Sequence, residues 1–215
     1  MAERQQDQQI LTAAKIAEAL ATAMYTRFIN NSPIFAQLPR DDQDYFRAAR
    51  DAEMRHYEVL RDATNSETPV TTFYFPKNMF TDPQVTINTM LTLEDIFIPA
   101  YLIAVNDLSN NALKVLAARI MGVEAEHKAL IRAVAAELGL TTVTTLVGSE
   151  PVKPPNNVYF ERRFASRFAN INDIVKAAQP FINRDAANQA GFDLNNPVQF
   201  QPYTPPANPN GDLNT

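Results

Sequence analysis

Four glutamates and both histidines of this chain fall on the apolar stripes of segments that read as helices, and nothing else constrains the fold as tightly. Apolar residues recurring at spacings of three and four mark the core-facing side of a helix. Across residues 8–30 that stripe is Leu11, Ala14, Glu18, Ala21, Tyr25 and Phe28, and Asn31, Ser32 and Pro33 stop it. Pro39 to Asp42 restart the chain into a second helix running to about Asp62, with Phe46, Ala49, Glu53, His56 and Leu60 on its stripe. A third begins at Asp82-Pro83, where aspartate suits the N-cap and proline the first helical position. It carries Ile87, Met90, Glu94, Phe97, Tyr101 and Leu108. After the turn NDLSNN a fourth presents Leu113, Ala117, Ile120, Glu124, His127, Ile131, Val134 and Leu138, and Gly139 ends it. A buried carboxylate without a partner costs several kcal/mol. Four of them facing one core are tenable only when protonated or bound to cations.

Each histidine follows a glutamate by three residues, Glu53 with His56 and Glu124 with His127. Positions i and i+3 share a helix face, so each segment offers one carboxylate and one imidazole to one metal ion. With 11 Glu in 215 residues, chance places both pairs roughly once in 400. Two divalent ions supply four positive charges against the four carboxylates. Glu18, Glu53, His56, Glu94, Glu124 and His127 are therefore the expected ligands of a dinuclear site, with some carboxylates bridging and positions left open for water or oxygen. Oxygen and imidazole donors without sulfur suit iron or manganese. The pattern repeats within the chain: Tyr25 follows Glu18 by seven residues, and Tyr101 follows Glu94 by seven. The chain thus reads as one helical hairpin used twice about an approximate two-fold axis. Tyr25 and Tyr101 are candidates to bond a ligand carboxylate or to relay single electrons, or else are core tyrosines whose hydroxyls find a partner.

Long helices joined pairwise by short loops make two antiparallel hairpins, and an extended link of about 20 residues is long enough to cross a bundle about 30 Å in length. The expected fold is all-α: a four-helix bundle over residues 1–139 with a long crossover between the second and third helices. Pro99, inside the third helix, leaves the carbonyl of Asp95 without its usual donor and predicts a kink or π-bulge beside Glu94. Residues 140–215 form a different region, a Pro/Phe-rich and mostly non-regular extension. It holds nine of the 15 Pro, one helical candidate at 165–178, and Tyr159, Phe160, Phe164, Phe168, Phe181, Phe192, Phe200 and Tyr203. That is too much aromatic surface for a solvated tail. The extension is expected to pack on its own bundle through about Phe181, and its last 25 residues to reach outward and join subunits of a homo-oligomer.

Several function classes are excluded or disfavoured. Cysteine is absent, which removes thiolate metal sites and disulfides. The net charge of −5 and scattered basic residues give no electrostatic footprint for nucleic acid. No run of 18 apolar residues exists, so no membrane span is expected. The polar start MAERQQDQQI lacks a signal-peptide h-region, so a cytoplasmic location is expected.

The order Glu, Glu-x-x-His, Glu, Glu-x-x-His resembles the ferritin-like di-iron carboxylate proteins, over roughly residues 8–140. The segments FPKNMFTDPQ, TLEDIFIPAYLIA and IMGVEAEHKALIRAVAAE look most like the desiccation-related branch of that family. The resemblance implies the same six ligands, two Fe ions or alternatively two Mn ions, and a tyrosine at Tyr25 close to the metals. It also implies oxygen or peroxide as substrate, an external electron donor, and oxidoreductase chemistry of the ferroxidase, peroxidase or catalase type in stress protection. Departures narrow this. Rubrerythrins carry a further glutamate where this chain has Phe97, and usually a cysteine-bound iron domain. Manganese catalases typically lack the glutamate that Glu124 supplies. The alternative from another class is a structural protein whose metals staple the bundle and whose tail joins subunits.

Overall fold

The computed structural model describes residues 2–144, 151–155 and 168–207, with residues 2–4 described by backbone alone. Four long helices dominate: α1 (Ala2–Asn31), α3 (Arg40–Thr64), α4 (Pro83–Asp107) and α5 (Asn111–Glu137), with a five-residue α2 (Pro33–Gln37) between the first two. α1 pairs with α3 and α4 with α5, and the hairpins pack through α1 on α4 and α3 on α5. The chain is an all-α bundle with a long crossover, residues 65–82, between the two hairpins.

Local chemistry sets the boundaries. Ser32 and Pro33 do end α1, but they also start α2, because the Ser32 hydroxyl accepts from Ile34 N at 3.2 Å. Asp82 accepts from Gln84 N and Val85 N at 2.9 and 3.1 Å, capping α4 with Pro83 at its first position. Asn110 caps α5 in the same way, and Asn65 closes α3 in the left-handed conformation at φ 47°. Gly139, at φ 73°, takes the turn after α5 where a side chain would be strained. α4 stays α-helical through Pro99 with no π turn, so of the expected kink or π-bulge the bulge is absent. Length and mean hydropathy (1.3) would let α4 cross a bilayer. However, 78% of that window is buried inside the protein, and the helix carries Glu94 and Asp95. Its apolar surface is that of a bundle-core helix.

The described part of the extension folds back on the bundle. The first segment is held where Arg132 donates to the carbonyls of Pro154 and Pro155 at 3.0 and 2.9 Å. A helix α6 (Ile171–Ile182), later than the 165–178 candidate, lies against α4 and α1 and is followed by α7 (Arg184–Gln189). Its start is set by Asn170, whose side chain accepts from Asn172 N and Asp173 N. A two-residue strand β1 (Thr72–Phe73) in the crossover pairs antiparallel with β2 (Val198–Gln199), Thr72 opposite Gln199 and Phe73 opposite Val198.

The aromatics find their pockets at home. Phe181 meets Phe192 at 5.1 Å, and Phe200 meets Tyr57 edge-on at 4.7 Å. Tyr203 donates to Asp51 at 2.5 Å and lies under Arg50. The last residues were expected to reach outward. Through Pro206, whose carbonyl bonds Arg55, they run along α3 instead, because burying these rings needs a preformed apolar groove and α3 and the crossover provide one. Tyr159, Phe160 and Phe164 lie outside the described residues.

Candidate metal centre

The six residues come from four helices: Glu18 from α1, Glu53 and His56 from α3, Glu94 from α4, and Glu124 and His127 from α5. Their donor atoms converge in two overlapping sets. One is Glu18, Glu53, His56 and Glu124; the other is Glu53, Glu94, Glu124 and His127; within each, the ligand atoms lie within 4.8 Å of one another. Glu53 and Glu124 belong to both sets, and they do so oxygen by oxygen. His56 Nδ1 is 3.5 Å from Glu53 Oε2 and 3.5 Å from Glu124 Oε1, whereas His127 Nδ1 is 2.9 Å from Glu53 Oε1 and 3.5 Å from Glu124 Oε2. Glu18 Oε2 completes the first set at 3.3 Å from His56 Nδ1. A carboxylate that turns one oxygen to each of two neighbouring positions has the geometry of a bridge.

The donors also fit cations in their lack of other partners. Both oxygens of Glu53 and of Glu124, one oxygen each of Glu18 and Glu94, and Nδ1 of both histidines are buried without a hydrogen bond of acceptable geometry. The glutamates are 0–2% exposed, and His56, at 13% for its side chain, is the most open member. Leaving so many carboxylate oxygens orphaned in a protein interior is untenable unless positive charge sits among them. Hard oxygen donors with two imidazoles and no sulfur are a suitable set for first-row divalent ions.

The remaining carboxylate oxygens are held by the tyrosines, and crosswise. Tyr25, on the helix of Glu18, donates to Glu94 at 3.2 Å, while Tyr101, on the helix of Glu94, donates to Glu18. The reciprocal bonds express the internal two-fold repeat in the site itself. Tyr25 also meets the His127 ring edge-on at 6.0 Å.

Without metal, the cluster binds protons tightly. Burial, and then the Glu124 and Glu53 charges, push Glu18 well above the usual carboxylate range; Glu94 is raised by burial and then by Glu124. Burial disfavours the charged form of each histidine, but the carboxylates win: Glu18 foremost holds His56 high, and Glu53 foremost holds His127 high. Glu53 moves the other way. Burial would raise it, yet His127 beside it draws it below its usual range. Tyr25 and Tyr101 are raised by burial and then by the carboxylates they bond, so both are neutral donors.

Two features of the surroundings escaped the stripe analysis. Lys128 Nζ bonds Asp95 at 2.6 Å, a buried ion pair directly behind His127 and Glu94. Its signal was a second acid in the most apolar helix, at Glu94-Asp95, and a lysine one turn past Glu124. The other is Thr22, a buried polar residue on α1 between Glu18 and Tyr25.

Bundle, crossover and paired Glu-x-x-His segments together define a ferritin-like metal-carboxylate architecture. A ferritin-like domain model matches residues 6–137 of the 215, and the chain belongs to that family. No curated protein matches the chain.

Proposed function

We propose that this protein is a dinuclear iron or manganese oxidoreductase acting on oxygen or peroxide, as a ferroxidase or peroxide-removing enzyme of the desiccation-related branch. The observation that carries the reading is the splitting of Glu53 and Glu124, oxygen by oxygen, between two sets of otherwise orphaned donors. Glu18 and His56 would hold one ion, Glu94 and His127 the other, with Glu53 and Glu124 between them. Two redox ions so placed supply Lewis acidity and electrons to a small oxygen-bearing substrate.

The chain's own contribution is positioning and exclusion of water. Tyr25 and Tyr101 fix the orientation of Glu94 and Glu18 and leave the other oxygen of each free to turn toward metal. Phe28 and Phe46, 5.0 Å apart and fully buried, close the bundle beside Tyr25. Carboxylates can change binding mode as ion charge changes, and the protons that oxygen or peroxide consumes on reduction would come from solvent. Electrons come from the ferrous ion itself in the ferroxidase case, or from an external donor when peroxide is reduced.

The test is elemental analysis of protein from its native source, followed by oxygen and peroxide turnover on that sample. Two Fe or Mn per chain with turnover is the expected result. Bound metal with no turnover would favour a structural role, and disproportionation of peroxide without reductant would mark a catalase.

A further inference from the structure

The two halves of the bundle are not equivalent around the metal site. One turn after Glu18, α1 carries Ala21 and Thr22; at the matching positions after Glu94, α4 carries Phe97 and Ile98. All four are buried, at 1% to 3% exposed. The α4 side thus carries two large apolar side chains at these positions, whereas the α1 side carries a methyl group and a hydroxyl.

The hydroxyl is the informative part. Positions 18, 22 and 25 lie within an arc of about 60° on a helix with 3.6 residues per turn. Thr22 therefore shares the face from which Glu18 and Tyr25 reach the cluster. A helical threonine ordinarily returns its hydroxyl to the carbonyl four residues earlier. This protein does so three times: Thr64 to Leu60 at 2.8 Å, Thr86 to Asp82 at 2.8 Å and Thr89 to Val85 at 2.7 Å. Thr22, 1% exposed, makes no such bond, and its Oγ1 is buried without a partner in the protein. An unsatisfied hydroxyl in a core is a cost that a valine of the same shape would avoid.

We propose that Thr22 is the hydrogen-bonding residue for the exogenous ligand of the metal pair, a small oxygen- or nitrogen-terminated molecule seated on the α1 side. The inference rests on the dinuclear reading given above. A hydroxyl can both donate and accept, so it serves a bound water, an anion or a peroxide alike.

Azide is the probe. The protein is loaded with iron, oxidised to the ferric state, and titrated with azide while its charge-transfer absorption is followed. Thr22→Val keeps the shape and removes the hydroxyl. It is expected to retain both ions and bind azide about tenfold more weakly, and Thr22→Ser is expected to restore wild-type affinity. Should Thr22→Val lose metal, Thr22→Ala is judged by the same criterion. Wild-type azide affinity in a metal-replete Val or Ala variant overturns the proposal, as does loss of metal in both, which would make the hydroxyl structural. A wild-type protein that takes up no metal pair overturns the dinuclear reading and this proposal together. A loaded wild type whose azide affinity ignores Thr22 overturns this one alone.

Discussion

Metal uptake should be driven strongly by pH, and the size of the effect follows from the cluster. In the metal-free protein Glu18, Glu94, His56 and His127 all hold protons beyond their ordinary values of 4.5 and 6.5. Metal ligands must be deprotonated, so binding releases these protons. Filling both positions therefore expels whatever protons these groups hold at the working pH. The combined binding free energy then grows by about 1.4 kcal/mol per pH unit for each proton released. Titration with Mn(II), which does not oxidise during the measurement, in calorimetry buffers of different ionisation enthalpy gives the proton count directly. Affinity at several pH values gives the slope independently. Release of fewer than one proton, or an affinity flat with pH, would show that the carboxylates and imidazoles are not the ligands.

The same groups fix how metal-free stability depends on pH. A raised folded value means stability that is complete below the unfolded value and lost as pH rises through the folded one. The metal-free melting temperature should therefore fall as pH rises above 4.5, the ordinary value of Glu18 and Glu94, and more steeply above 6.5, the ordinary histidine value, and the metal-loaded one should not. Glu53, lowered in the fold, adds stability that is complete above 4.5 and lost on acidification, so the metal-free optimum lies near 4.5; a metal-free melting temperature that climbs with alkalinity contradicts the cluster. Since Glu53 serves both sets, Glu53→Ala should lose both ions, whereas Glu18→Ala should keep the ion at Glu94 and His127; metal analysis of the two variants decides it. Removing the cation 2.6 Å from Asp95 by Lys128→Met should cost about 3–5 kcal/mol in denaturant unfolding. Pairing it with Asp95→Leu should recover most of that, and equal losses in the single and double variants would argue against the pair.

Much of the site was legible because its residues break a rule visible in sequence. Glu18, Glu53, Glu94 and Glu124 stand where an amphipathic helix should be apolar, and helical periodicity alone places them on one core. The bridging roles were not legible. Which oxygen of Glu53 faces His56 and which His127 depends on the rotation of α3 against α1 and α5, a tertiary quantity. Nor was the crosswise bonding of Tyr25 and Tyr101, since the seven-residue spacing shows only that each shares a face with its own glutamate. Thr22 looked like one more small residue in ALATAM, and only the missing backbone bond singles it out. The extension was the hardest part, because its β2 strand is two residues long and pairs with a partner more than a hundred positions away. No local pattern encodes such a contact.

That distant pairing bears on how the molecule is made. Synthesis proceeds from the N-terminus, and all six ligands lie between Glu18 and His127, so the whole metal-binding set exists while β2 is still unsynthesised. Until Val198 and Gln199 appear, Thr72 and Phe73 form an open edge in the crossover, and Tyr57, beside His56, has no Phe200 ring against it. Closing so long a loop is entropically late. The ligand-bearing helices are thus all synthesised before the last aromatic contacts cover α3, and the C-terminal segment closes over a bundle whose Glu and His cluster is already complete in sequence.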